Sequence, residues 1–260
     1  MDERNNDQKH IYICGESMIG LLTGMCEAFS QENPDRCCIS AAVQEYELFC
    51  RYEEVIPDYE KAQKVERAMQ FRFGEENYEI MCQALTSYEG DRADAVFHAI
   101  LAGMRMKNRF LLMQNLADPY VMRVFELQRE VVRELNHFHG FLRFRELKNG
   151  ILMAVIAPKN NIAAQLAPHF SDRFPNENFL IYDEIRKIAV FHQKGKNWFI
   201  AEGTEPDLKK NEDVSEDELY YEELFRNFCQ SIEIKERESL KLQQQMLPLY
   251  LRKHMTEFQI

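Results

Sequence analysis

The sequence has no long hydrophobic run, few glycines and a single tryptophan. Of its 260 residues, 45% are hydrophobic and 29% are charged. No stretch approaches the roughly 18 uninterrupted apolar residues of a membrane-spanning helix. The opening residues, MDERNNDQKH, are polar and lack the apolar core of an export signal. With only 10 glycines, a glycine-rich phosphate-binding loop of the common kind is absent. We therefore predict a globular cytoplasmic protein without a membrane segment.

Sequence-local metal motifs are absent as well. The seven cysteines are an odd number, no pair forms C-x-x-C, and no two histidines stand at H-x-x-x-H spacing. The C-x-x-x-C-x-x-C arrangement of a radical-SAM iron–sulfur cluster is also missing. In a chain without an export signal, such cysteines are expected to be reduced thiols. We therefore predict no metal site and no cofactor.

The net charge of −11 conceals an uneven distribution. Residues 1–104 carry 9 basic and 20 acidic side chains, residues 105–196 carry 15 and 9, and residues 197–260 carry 8 and 14. We name residues 105–196 the basic segment. Its arginines can bind phosphate through a planar fork, or they can pair with the chain's own acidic flanks. The first alternative predicts nucleic-acid binding, and the second predicts a structural role.

The first half of the chain has mainly helical patterns. Residues 1–9 are typical of a disordered tail, and residues 10–14 are typical of a short strand. Ser17 is placed to cap a helix, and apolar residues at helical spacing then continue through most of residues 57–115. We predict a helical subdomain over that range.

A long helix is predicted to begin at Asp118-Pro119 and to run to about His139, where Gly140 ends it. Its buried stripe is predicted to contain Val121, Val124, Phe125, Val132, Leu135 and Phe138. Its charged residues are predicted to be mostly solvated: Arg123, Glu126, Arg129, Glu130, Arg133 and Glu134.

Strand patterns follow this helix. Asn149-Gly150, the dipeptide most typical of a tight hairpin, joins a predicted strand at 141–146 to an apolar strand that we place centrally in a sheet. A helix is predicted to open at Asn160-Asn161. Three more strands are predicted, at 179–183, 187–193 and 197–202.

Together these patterns predict an α+β protein, with a helical N-terminal part followed by a mostly antiparallel sheet flanked by helices. We expect a disordered tail at 1–9 and a single domain over residues 10–260. Within that domain, a helical subdomain at 57–115 precedes a sheet-containing core at 118–202 and C-terminal helices at 215–255.

The predicted strand at 141–146 is the first candidate for nucleic-acid binding. A period of two places Phe141, Arg143 and Arg145 on one face. Two arginines beside an aromatic ring could hold a phosphodiester while a base stacks on the ring. The alternative is a partly solvated sheet face whose arginine stems pack on their neighbours.

A second polar group could bind an anion or form an active site. His169 and Arg173 are four residues apart on one helix face, and Tyr182 and Asp183 end a strand close to Arg186. The structural alternatives are a histidine at the edge of the core and a turn closed by an ion pair.

His137 and His139 lie at the predicted helix end. Residues two apart on a helix point to different sides, so these two cannot share a metal ion, and contact with the last helix carbonyls is the ordinary role. No nucleophile elbow, Walker loop, dinucleotide fingerprint, H-E-x-x-H or zinc-deaminase signature is present. No standard enzyme class is therefore predicted.

Three stretches carry distinctive motifs: DPYVMRVFELQREVVRELNHFHGFLRFRE, APKNNIAAQLAPHFSDRFP and FLIYDEIR. They resemble an uncharacterised bacterial domain-of-unknown-function family labelled "probable DNA metabolism protein". GLLTGMCEAF near the start and ERESLKLQQQMLPLY near the end are similar to the two ends of the same family. The resemblance extends from about Tyr12 to Tyr250.

The resemblance implies an association with DNA metabolism and no particular reaction. Members are typically encoded beside a radical-SAM protein, and many continue into a uracil-DNA glycosylase domain. This chain stops where that domain would begin, so we expect the unfused form here. The segment Tyr12–Ser17 lacks the family's aspartate, and Tyr250-Leu251 lacks its tryptophan. The family's patterned polar positions correspond here to His137, Arg143, His169, Arg173, Tyr182, Asp183, Arg186, Glu236 and Arg237.

Three functions are compatible with these observations. The first is a DNA-metabolism protein that binds DNA or a damaged nucleotide through the basic segment and acts with a radical-SAM partner in repair or modification. The second is an enzyme of unassigned type, with His169, Arg173, Tyr182 and Asp183 lining a pocket. The third is a protein-interaction module without nucleic-acid binding.

Overall fold

The structure is a computed structural model that describes residues 8–43, 46–203, 214–232 and 239–258. The chain divides into two compact units, residues 1–132 (unit 1) and 133–260 (unit 2). The prediction of a single domain over residues 10–260 stays a prediction. None of the helices in the described ranges is long and apolar enough to cross a membrane.

Unit 1 contains a small parallel sheet that the sequence patterns did not predict. Strand β1 (Lys9–Ile13) lies between β2 (Cys37–Ser40) and β3 (Cys50–Glu54), and both neighbours run parallel to it. The strand predicted at 10–14 is present as β1, but the prediction of a helical N-terminal part is corrected by the parallel sheet that β1 forms with β2 and β3. The sequences of β2 and β3, CCIS and CRYEE, are too short and too mixed in polarity to give a clear period of two.

The helices that accompany this sheet are α1 (Met18–Phe29), α2 (Tyr59–Phe73), α3 (Glu75–Leu85) and α4 (Arg92–Arg105). Helices α1 and α4 pack against β2, α2 packs against α1, and α3 packs against α2 and α4. The predicted Ser17 cap is confirmed, because its Oγ accepts a hydrogen bond of 3.0 Å from the Gly20 amide. Side chains from both sheet and helices, among them Tyr12, Met25, Ile39 and Phe97, form one buried core.

The long predicted helix is present as α5 (Pro119–Phe141), and the boundary between the two units falls inside it. The Asp118 carboxylate caps it by accepting from the Tyr120 and Val121 amides, at 2.9 and 3.2 Å. Gly140 does not end the helix, which continues to Phe141.

The buried stripe of α5 contains the predicted Val121, Val124 and Phe138, whereas the predicted Phe125, Val132 and Leu135 are only half-buried. The residues that are buried along it are Val121, Val124, Leu127, Val131, Glu134 and Phe138. Glu134 was predicted to be solvated, yet it stands three residues after Val131 and four before Phe138, in register with the stripe. The prediction failed because Phe125, Val132 and Leu135 suggested a neighbouring helix face.

Unit 2 contains a five-stranded sheet in the order β4-β5-β6-β7-β8. Its strands are β4 (Arg145–Glu146), β5 (Leu152–Ile156), β6 (Phe179–Asp183), β7 (Ile188–His192) and β8 (Phe199–Glu202). β5 and β6 are parallel, and the other neighbours are antiparallel. The sheet is thus mixed, and the prediction of a mostly antiparallel sheet is corrected. The reason is helix α6 (Ala163–Arg173), which crosses over between β5 and β6, as a parallel connection requires.

The Asn149-Gly150 signal predicted the turn correctly, but the length of the strand before it was overestimated. Gly150 has a φ of 77°, which suits a glycine, and β4 pairs antiparallel with β5 across the turn. Because α5 continues to Phe141 and β4 contains only two residues, the predicted alternation over 141–146 is wrong. The chain continues into α7 (Glu216–Ser231), α8 (Leu240–Met246) and α9 (Leu249–Arg252).

A glycine in α1 permits a close approach of this helix to the backbone that follows β1. A Cβ at Gly20 would lie 2.1 Å from the Cys14 carbonyl oxygen, whereas a Cβ at Gly140 in α5 would meet nothing within 4 Å. We expect Gly20→Ala to destabilise unit 1 by about 1–3 kcal/mol. Gly140→Ala, the control, should stabilise its helix by about 0.5–1 kcal/mol. Thermal unfolding followed by circular dichroism measures both, and equal effects would contradict the close approach.

Candidate functional site

The carboxyl ends of β5 and β6 meet at one edge of the sheet in unit 2. Because the two strands are parallel, the loop after β5 (157–162) and the loop after β6 (184–187) leave from the same edge. In open α/β sheets this is the place where ligands usually bind. The polar side chains of the two loops are therefore the first candidates for a site.

The carboxylate of Glu134 holds the loop after β5. Its Oε1 accepts a hydrogen bond of 2.9 Å from the Lys159 amide, and its Oε2 accepts from the Asn160 amide at 2.8 Å and from Asn160 Nδ2 at 2.7 Å. Glu134 is only 4% exposed. The buried charge is thus compensated by three donors, as a buried carboxylate requires.

Asp183 and Arg186 close the loop after β6. Asp183 Oδ1 accepts from the amides of Ile185 and Arg186, at 2.9 and 3.1 Å, and its Oδ2 accepts from Arg186 Nη1 at 3.1 Å. The same guanidinium donates to the carbonyl of Pro158 at 3.0 Å and to that of Lys159. Arg186 therefore joins the two loops. The contacts of Asp183 match the structural alternative, which was a turn closed by an ion pair with Arg186.

The C-terminal residues cover this edge. Glu184 accepts from His254 Nε2 at 3.2 Å and from Lys253 Nζ. Burial would raise the pKa of Glu184, but Lys253 and His254 together lower it below the usual value. Burial and the Glu134 carboxylate raise the pKa of Tyr250. The edge is thus occupied by the chain's own side chains, and we interpret it as a structural network.

Arg143 and Arg145 are each paired with an acidic residue from the C-terminal part. Arg143 Nη2 is 2.7 Å from Glu257 Oε1, and its guanidinium lies 5.7 Å from the ring centre of Phe225. Arg145 Nε is 2.6 Å from Glu222 Oε1. Both carboxylates are largely buried, with side-chain exposures of 11% and 10%. The two guanidinium groups therefore serve the fold of unit 2.

The histidines form one unexpected contact. The rings of His139 and His169 stack with centroids 4.1 Å apart, while His137 contacts the ring of Phe141 at 6.3 Å. Within the described residues, the buried Nε2 atoms of His139 and His169 have no hydrogen-bond partner. Burial, followed by repulsion from His169, lowers the pKa of His139. A neutral His139 ring stacked on His169 is the arrangement that these surroundings favour.

The four residues of the predicted pocket do not line one open site. Tyr182 and Asp183 have no exposed surface, whereas Arg173 is exposed and lies with its guanidinium 5.7 Å from the ring centre of Phe174. His169 packs against His139 on the inner side of α6. The arrangement does not favour an active site built from these four residues. Glu236 and Arg237 lie outside the described residues.

A basic surface remains at the opposite end of α6. Arg173 at the end of that helix, and Lys194 and Lys196 in the turn between β7 and β8, are exposed. Within the described residues, none of the three has a carboxylate partner. We name Arg173, Lys194 and Lys196 the basic edge.

Hydrogen bonds hold the two parts of the basic edge together. The Gly195 amide donates to the Pro175 carbonyl at 3.2 Å, and the Lys194 amide donates to Asn178 Oδ1 at 3.0 Å. Gly195 has a φ of 69°, which the tight turn requires. Phe174 follows Arg173 in sequence, Trp198 lies two residues after Lys196, and both aromatic residues are half-buried. The result is a basic surface with the ring of Phe174 beside the Arg173 guanidinium.

Several residues of the structural network were missed by sequence reasoning. Glu134 could have been found from its helical register with Val131 and Phe138. Glu222 and Glu257 could not, because they lie 77 and 114 residues along the chain from the arginines that they contact. Periodicity is a local signal and does not report such pairs.

The fold and these contacts define an α+β protein whose C-terminal unit is organised by a buried polar network. A family model described as a domain of unknown function, DUF4130, matches residues 90–257. Since the match covers more than half of the chain, the protein belongs to this family. No curated protein and no solved structure matches the chain.

The Glu134 carboxylate can be tested by an isosteric change. In Glu134→Gln, an amide group would face a backbone N–H donor, and we expect unit 2 to lose about 2–4 kcal/mol of stability. Glu130→Gln, one turn earlier on α5 and exposed, should change stability by less than about 0.5 kcal/mol. Urea unfolding followed by the fluorescence of Trp198, the single tryptophan, reports on unit 2. Equal midpoints for the two variants would contradict the anchoring role.

Proposed function

We propose that the protein is a cytoplasmic DNA-metabolism protein that binds nucleic acid through the basic edge and acts with a radical-SAM partner. The basic edge is the observation that carries this proposal. Arginine and lysine side chains that are not neutralised by the chain itself are available to phosphate. The family resemblance adds the association with DNA and with the partner.

The proposal follows from how unit 2 uses the charges of the basic segment. Arg143, Arg145 and Arg186 make ion pairs within the unit, so a phosphate would have to displace a largely buried carboxylate to reach them. At the basic edge, a phosphate would not have to displace a carboxylate of the described residues. Nucleic-acid contact is therefore proposed there, and not at the Arg143–Arg145 position that the strand pattern favoured.

The surroundings of the basic edge suit a single strand. The ring of Phe174, whose centre lies 5.7 Å from the Arg173 guanidinium, offers a face on which an unpaired base can stack, and Trp198 lies two residues after Lys196 in sequence. Asp172 and Glu177 are exposed in the same part of the chain. Their charge reduces the local excess of positive charge, so binding should be weak and strongly dependent on salt.

The basic edge can be tested by removing its charges. We expect wild-type protein to bind single-stranded DNA at low salt, and Arg173→Ala/Lys194→Ala/Lys196→Ala to bind more weakly. Each lost phosphate contact should reduce the slope of log K against log salt by about 0.7, or about 2 for all three. Fluorescence anisotropy with single- and double-stranded oligonucleotides across a salt series measures this.

A matched control separates the basic edge from net charge. Lys64→Ala/Arg67→Ala/Arg72→Ala removes three exposed charges from α2 in unit 1. This variant should retain the wild-type affinity and salt slope. Absence of binding by wild-type protein at low salt, or an equal loss of affinity in the two triple variants, would contradict the proposal.

A second candidate function, protein docking, is favoured by helix α7. Most of its large apolar side chains are exposed, with Tyr221 at 63% and Phe228 at 56%. The exposed apolar residues of the helix are Leu219, Tyr220, Tyr221, Leu224, Phe225 and Phe228. A monomeric surface rarely shows so many together, so such a helix is typical of an interface.

The charge of α7 suggests the chemistry of its partner. Three acidic residues, Glu216, Asp217 and Glu218, stand in the first turn. An apolar groove flanked by basic side chains would complement the helix. We propose that the radical-SAM protein implied by the resemblance provides this groove.

The docking helix is tested with purified proteins. We expect the radical-SAM protein encoded beside this chain to co-elute with wild type in size-exclusion chromatography and not with Leu224→Glu/Phe228→Glu. The control is Ile56→Glu/Phe71→Glu, which changes two apolar residues of unit 1 that are both 85% exposed. Co-elution that survives the α7 change, or is lost equally in the control, would contradict docking by this helix.

A further inference from the structure

Unit 1 contains a group of three potential metal ligands that the proposed function does not use. Ligand atoms from Cys38, Asp94 and His98 all lie within 4.8 Å of one another. Cys38 and Asp94 are half-buried, and His98 is buried. The three side chains supply one sulfur, one oxygen and one nitrogen.

The fold of unit 1 brings these residues together. Asp94 and His98 are four residues apart on α4, so they share a helix face, and α4 packs against β2, which contains Cys38. Asp94 Oδ1 accepts a hydrogen bond of 3.1 Å from the Ile39 amide, which fixes the helix to the strand. The ring of His98 stacks on that of Tyr120 with centroids 4.5 Å apart. The positions of the Asp94 and His98 side chains are thus set by hydrogen bonding and packing.

The parallel sheet of unit 1 has a cavity over one of its faces. Parallel sheets are usually covered on both faces. Here the helices and the core cover the face of Tyr12 and Ile39, whereas the opposite face opens on a cavity of about 470 Å³. The lining includes Lys9, Ile11, Cys38, Tyr52 and Asp94. Two of the three ligands therefore border a space large enough for a small molecule.

We propose that Cys38, Asp94 and His98 bind a zinc ion whose fourth coordination position faces this cavity. Thiolate, carboxylate and imidazole are all ligands of zinc, and three protein ligands with an open fourth position are typical of reactive zinc sites. The mixed sulfur, nitrogen and oxygen set favours zinc over magnesium or calcium, which prefer oxygen alone. The fourth position would take a water molecule or a donor atom of a ligand in the cavity.

Ion binding requires only local changes. Tetrahedral ligands at zinc bond lengths of about 2.0–2.3 Å stand roughly 3.5 Å apart, so the side chains must draw together by about 1 Å. His98 Nε2 is already 3.6 Å from Asp94 Oδ1, and it exchanges its 3.1 Å hydrogen bond to the Cys37 carbonyl for the metal. The Cys38 thiol releases its proton to solvent as the sulfur–zinc bond forms.

The surroundings disfavour a free reactive cysteine at this position. Burial, and then the negative charge of Asp94, raise the pKa of the Cys38 thiol to about 12. Without an ion the group is therefore a thiol, which is a poor nucleophile. No metal site was predicted from the sequence because the chain has no C-x-x-C or H-x-x-x-H pair. The Asp94-x-x-x-His98 spacing was the local part of the signal.

Cobalt(II) is the probe that tests the site, because its spectrum identifies its ligands. We expect the chelator-treated full chain to bind one Co²⁺ with a thiolate-to-cobalt charge-transfer band and intense tetrahedral visible bands, and Zn²⁺ to displace it. Cys38→Ser should abolish the charge-transfer band. Asp94→Asn and His98→Gln should each weaken Co²⁺ binding at least tenfold.

Matched variants keep this test decisive. Cys26→Ser and His10→Gln change a cysteine and a histidine elsewhere in unit 1 and should leave the spectrum unchanged. Circular dichroism confirms that each variant is folded, and the conservative Cys38→Ser change is the least disruptive of them. Absence of a charge-transfer band in wild type would overturn the proposal, and so would a band that persists in Cys38→Ser.

Discussion

The buried carboxylate of Glu134 is the contact on which the C-terminal unit depends. It binds the amides of Lys159 and Asn160, at the point where the chain leaves β5 and turns toward α6. Backbone groups at such a buried turn need partners, and Glu134 supplies them from a neighbouring helix. With the turn fixed, Arg186 can bind the Pro158 carbonyl and connect the ends of the two parallel strands. One side chain therefore holds the turn from which the crossover helix begins.

The charged residues of the basic segment have two different uses in unit 2. Arg143 and Arg145 hold the C-terminal elements through Glu257 and Glu222, so their charge is neutralised where it stands. The basic edge has no such partners within the described residues, and its charge is open to solvent. A count of arginines along the sequence cannot separate these uses, because both kinds carry the same charge. This difference between paired and unpaired basic residues is the reason that we propose the nucleic-acid contact at the end of α6.

Local signals in the sequence predicted the elements that depend on local chemistry. The Ser17 and Asp118 caps and the Asn149-Gly150 turn are all present, because each depends on bonds within a few residues. Predictions that depended on distant residues failed. Glu134 was wrongly predicted to be solvated because its burial depends on contacts with another loop, and the sheet is mixed because of how α6 connects β5 to β6. The zinc-ligand group was missed because Cys38 joins Asp94 and His98 only in the folded chain.

Among the basic residues of unit 2, we propose that those of the basic edge contact phosphate and that Arg143 and Arg145 do not. Backbone amide NMR spectra of the full chain, recorded while a short single-stranded DNA is added at low salt, test this claim residue by residue. We expect shifts in the amides of Arg173, Phe174 and the 194–196 turn, with those of 143–146 unchanged. Shifts concentrated at 143–146, with the basic edge unchanged, would contradict the account. They would mean that nucleic acid displaces Glu222 and Glu257 from their arginines.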